Sequence, residues 1–101
     1  MRGAKQMREE KHVAIDKYLA ENFPGCDIEQ KYDFDCRAQT FKVHIADGTL
    51  LLKVADEFVE DNVTPEILRL FNLWGLAKML GKEKKLGVLV SQHGLEAFRC
   101  D

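Results

Sequence analysis

A chain of 101 residues, 46% apolar and 32% charged, has material for one packed core under a wetted surface; it is too apolar to be disordered throughout and too short for a second unit. The formal net charge of −2 excludes phosphate-backbone binding as a property of the whole surface, so any nucleic-acid role needs a local patch. No run reaches the roughly 18 apolar residues of a membrane span, and residues 1–101 are read as a single domain whose ends, 1–4 and 92–101, are flexible.

In chain order, Ala4 to Asn22 are good helix formers. Ile15, Tyr18 and Leu19 form the apolar face, and Lys11, Lys17 and Glu21 face water. Phe23, Pro24 and Gly25 stop this helix. Ile28 to Cys36 alternates as a strand, with Ile28, Tyr32 and Phe34 on its buried side. A hairpin follows around Asp47 and Gly48, a pair suited to a type I′ turn. That turn sets Val43 against Leu52 and Phe41 against Val54 on the buried face, with Thr40, Lys42, His44, Leu51 and Lys53 on the other. Phe34 is then expected opposite Phe41.

An acidic stretch, Asp56, Glu57, Glu60 and Asp61, leads to Thr64 and Pro65, an N-cap and first-turn proline that open a second helix running to about Leu80. Gly81 ends it, and Leu86 to Val90 is β-prone. The tail from Gln92 reads as a short helical turn or irregular chain. The order α-β-β-β-α-β gives an α+β domain: a three- or four-stranded antiparallel sheet with two helices on one face.

The residues that could carry chemistry are few. His44 stands on the outward face beside Lys42 and Leu51, with no orienting partner or concave site in view. Cys26, Cys36 and Cys100 form no Cys-x-x-Cys pair. Reduced thiols in the cytoplasm are expected, with no metal site and no cofactor. The glycines Gly48, Gly75, Gly81 and Gly87 are isolated and compose no phosphate loop. The element order is shared with double-stranded-RNA-binding domains, but those place lysines at the start of the second helix, where this chain is acidic. No family is assigned on that basis.

The second helix carries the one suggestive pattern. Between Glu66 and Leu80 the non-apolar positions recur every third residue and so drift around the axis, leaving the helix apolar nearly all round. A non-catalytic interaction or assembly module follows, homodimeric or bound to another protein, with Leu70, Phe71, Leu73, Trp74 and Ala77 as the contact. The alternative is a nucleic-acid-associated regulator that uses the basic N-terminus and a patch of Lys78, Lys82, Lys84 and Lys85.

Overall fold

The computed structural model describes residues 2–82 and 86–99. Nine elements follow in order: α1 (Arg2–Asn22), β1 (Asp27–Asp33), β2 (Ala38–Ile45), β3 (Gly48–Ala55), α2 (Asp56–Asp61), α3 (Thr64–Trp74), α4 (Leu76–Lys82), β4 (Leu86–Ser91) and β5 (Gly94–Arg99). The class is α+β as expected, but the sheet has five strands in the order β1-β2-β3-β4-β5. It is mixed, because β3 and β4 pair in parallel while the other neighbours are antiparallel. The helical segment between β3 and β4 forms the crossover that a parallel pair requires.

All the helices lie on one face. Phe41, Val43, Leu50, Leu52, Val54, Val88 and Val90 point from the sheet into the core, against Ile15, Leu19, Phe58, Ile67, Phe71, Leu76 and Leu80 from the helices. The alternation read in β2 and β3 therefore holds. Its register does not: Val43 faces Leu50 rather than Leu52, a slip of two residues along β3. The turn residues are Ala46 and Asp47. Arg37 is the non-glycine residue with positive φ among the described residues, so Asp47 does not adopt the left-handed conformation of a type I′ turn, and the positive φ falls on Gly48 at 146°.

The β1–β2 pairing is displaced further. Gln30, not Phe34, faces Phe41, a slip of four residues. The chain leaves β1 at Asp33, whose Oδ1 accepts the amides of Asp35 and Cys36 at 3.0 and 3.2 Å, and Arg37 takes φ 52° to enter β2. An aspartate-headed turn replaces strand here. Phe34 is thereby carried off the buried side and stands 82% exposed.

Other expectations are corrected on the helical side. Lys11 does not face water: one turn before Ile15 on the same face of α1, it is buried, and its Nζ donates to the Val59 carbonyl at 2.7 Å. That carbonyl belongs to the last turn of α2, where carbonyls lack helical partners and the dipole favours a cation. The acidic stretch from Asp56 is itself the helix α2, with Asn62 Nδ2 donating to the Phe58 carbonyl at its end. Thr64 lies inside α3, and the cap residue is Val63, with no side-chain cap. The second helix is not continuous. Gly75 takes φ 67° and closes α3, its amide turning back to Asn72 and Phe71. The tail from Gln92 is neither helical nor irregular, since Gly94–Arg99 forms the edge strand β5.

Gly75 removes much of the puzzle of a helix apolar all round. A left-handed residue redirects the axis, so α3 and α4 choose their inward faces independently: Ile67 and Phe71 from α3, Leu76 and Leu80 from α4. Tyr18 ties the pieces together, its ring tilted 60° against Phe71 with centroids 5.2 Å apart and its hydroxyl accepting the Ala77 amide, from the first turn of α4, at 3.3 Å. Burial raises the Tyr18 pKa, against the opposing effect of that amide.

Candidate functional site

Two surfaces stand out among the described residues. The first is the outer side of α3. Leu73 is 67% exposed, one turn from half-buried Leu70 and beside half-buried Trp74, whose ring lies 5.8 Å from Phe58. Ala77 is half-buried on α4. Phe71, expected in the same contact, is fully buried between Tyr18 and Phe58, so it packs inside the chain. Of the basic patch, Lys78 and Lys82 are exposed on α4, and Lys84 and Lys85 lie outside the described residues. So do the side chains of Arg2, Lys5 and Arg8.

The second surface is the open face of the sheet, and strand register composes it. Thr40 on β2 has Lys31 opposite on β1 and Lys53 opposite on β3, while Lys42 follows two residues along on the same face. Thr40 is only 6% exposed although no helix covers it; neighbouring side chains do. Lys31, Tyr32, Asp33, Phe34, Asp35, Thr40, Lys42, Leu51 and Lys53 line a recess of about 400 Å³. Lys53, expected exposed, is half-buried: its Nζ reaches Asp33 Oδ2 at 3.0 Å and Cys36 Sγ at 3.7 Å, and lies 5.2 Å from the centre of the Phe98 ring. Phe98 gets there across Gly87, where any Cβ would meet the ring at 2.2 Å. The Lys53 hydrogen bond, with the Cys36 amide, holds the Asp33 carboxyl down to about 2, and the same bond raises the Lys53 ammonium.

Histidine chemistry finds a partial arrangement at one end of that face. His44 lies opposite Thr49, not Leu51; its Nε2 meets Glu29 Oε1 at 2.7 Å and its Nδ1 meets Thr49 Oγ1 at 3.3 Å. Hydroxyl, imidazole and carboxylate stand in line, the order of an activated nucleophile. The array is open to water, with the Glu29 side chain 65% exposed, and it stands outside the recess around Thr40. An imidazole so placed cross-links the ends of three strands. Cys26 is half-buried and Cys36 exposed, so the latter is not the small buried thiol a structural role suggests; Cys100 lies outside the described residues. Among the described residues no group of three or more potential ligands could hold a metal ion, and no helix is long and apolar enough to cross a membrane.

Sequence alone pointed to neither the Thr40 surround nor the exposed Phe34, because both depend on the β1–β2 register. The signal that could have found them is Asp33, a residue suited to head a turn. No protein-family model matches the chain, and no curated protein or solved structure shows significant similarity to it.

Proposed function

We propose that the protein is a non-catalytic interaction module that pairs with a second copy of itself through the outer side of α3. The exposure of Leu73 carries this reading: 67% of a leucine open to water, flanked by Leu70 and Trp74, is apolar area placed where a partner removes it from solvent. An isologous contact fits an antiparallel crossing of two α3 helices, in which each Leu73 meets the partner's apolar stripe. The Glu29–His44 array is open to water, with the Glu29 side chain 65% exposed, and this supports binding over catalysis.

Sedimentation at micromolar concentration tests the reading, with a dimer expected. Leu73→Glu is the informative variant. Within one chain the position is solvated, so folding stability should change by no more than about 0.5 kcal/mol, whereas at a contact an unpaired carboxylate should dissociate the dimer. A wild-type protein that stays monomeric overturns the reading, as does a variant that remains dimeric.

A further inference from the structure

We propose that the recess around Thr40, on the opposite side of the molecule from α3, binds a mononucleotide, with Lys31 and Lys42 on its phosphate and Phe34 stacked on its base. Three observations converge there. Thr40 is ringed by three lysines through strand register, two opposite it and one two residues along its own strand. Their occupation differs. Lys53 is held by Asp33, whereas Lys31 and Lys42 make no ion pair among the described residues and stand exposed. Glu29 stands opposite Lys42 in register, but its Oε1 meets His44, so two ammonium groups without an ion-pair partner remain for a phosphate, which offers several acceptor oxygens at once.

The third observation is Phe34. It is 82% exposed, and behind it the Tyr32 ring packs edge-on with centroids 4.8 Å apart, so the outer ring is supported from within the fold while a face remains available. An aromatic that contributes nothing to the core and shares a recess with free cations matches a ligand that is planar at one end and anionic at the other. A volume of about 400 Å³ falls within the range of small-ligand sites.

Charge selects a mononucleotide over a nucleic-acid strand. The recess itself holds three lysines against Asp33 and Asp35, a balance of one positive charge. Around it the same sheet face carries Asp27, Glu29 and Glu96, and the whole chain is at −2. A strand of successive phosphates would run from the lysines into carboxylates, and its affinity rests on many cationic contacts in a row. A single nucleotide phosphate needs only Lys31 and Lys42, the two lysines of the recess that Asp33 does not hold.

Titration of ¹⁵N-labelled protein with ADP, inorganic pyrophosphate and a single-stranded oligothymidylate tests this. ADP should shift amides clustered in 31–42 and 51–53 and saturate at millimolar concentration or below. Phe34→Ala should weaken ADP at least about fivefold, the lower end of a base–aromatic stack, and leave pyrophosphate within about twofold. Lys31→Gln with Lys42→Gln should weaken both by at least about tenfold. Lys17→Gln on α1 removes the same kind of charge elsewhere and should change neither. Lys17, Lys31, Phe34 and Lys42 are all exposed, so the variants are expected to fold. Absence of localised shifts at millimolar ADP overturns the proposal; so does indifference to Phe34→Ala, an equal loss with Lys17→Gln, or binding of the oligonucleotide without binding of ADP.

Discussion

Asp33 joins three parts of the chain: its Oδ1 organises the turn that leads from β1 to β2, and its Oδ2 receives the Lys53 ammonium from β3. A carboxyl held down to about 2 from an ordinary 3.8 stabilises the fold above the ordinary value, and that contribution disappears as pH falls from about 4 towards 2. Lys53, raised by the same bond, contributes below 10.5, and its share is lost as pH rises through the raised value. Lys53→Met should therefore move the Asp33 titration, followed by carboxyl carbon NMR, up towards 3.8 and flatten the acid limb of the urea-stability curve. If Asp33 still titrates near 2 in the variant, the amides of the turn hold it there and Lys53 is a bystander. At this scale the sequence was least legible. Asp33, Lys31 and Thr40 are ordinary strand residues until register brings them together, and Lys11 looks solvated until α2 presents a carbonyl to it.

Among elements, the two-residue period of a strand explains what could be read and what could not. A register slip of two or four residues returns every side chain to the same face. Phe41, Val43, Leu50, Leu52 and Val54 therefore stay in the core however the hairpin is paired, while each cross-strand partner changes. The Asp47-Gly48 pair misled because Gly48 alone supplies the positive φ; β5 was missed because Gly94-Leu95-Glu96-Ala97-Phe98-Arg99 has little alternation and half its side chains face water. Gly75 was visible as a glycine inside an apolar helical run, the usual place to suspect a C-cap. Gly75→Ala should cost about 1 kcal/mol or more in urea unfolding, because φ 67° is unfavourable for a residue with a Cβ. Gly87→Ala acts differently. Its backbone tolerates alanine, but the new methyl must expel the Phe98 ring, so the expected loss of about 1–3 kcal/mol should come with faster amide exchange in β5. Slower or unchanged exchange there would mean that Phe98 does not anchor the edge.

For the molecule as a whole, a sheet covered on one side leaves two unlike surfaces, an apolar one outside α3 and a charged one on the bare strands. A central parallel pair is usually shielded on both faces. Here the bare side is covered piecemeal, by the stems of Lys42 and Lys53, by Leu51 and Leu89, and by Phe98 laid over Gly87. Long side chains can shelter backbone in this way while their heads stay wet. The antiparallel pairs are local, joined by short turns, but β3 meets β4 only after the chain has passed through 56–85. That one pairing governs how the protein comes into being on the ribosome. With β4 still inside the exit tunnel, β3 is an unpaired edge and α3 and α4 have no Val88 or Val90 beneath them, so the earlier residues can form turns and hairpins without closing a core. Nascent chains released after residue 82 should be digested by protease as fast as unfolded ones, whereas those extended through residue 99 resist; resistance in the shorter chain would show that the N-terminal meander stands alone. Core closure thus waits for β4 to leave the tunnel, and until it does the β3 edge has no partner strand on that side.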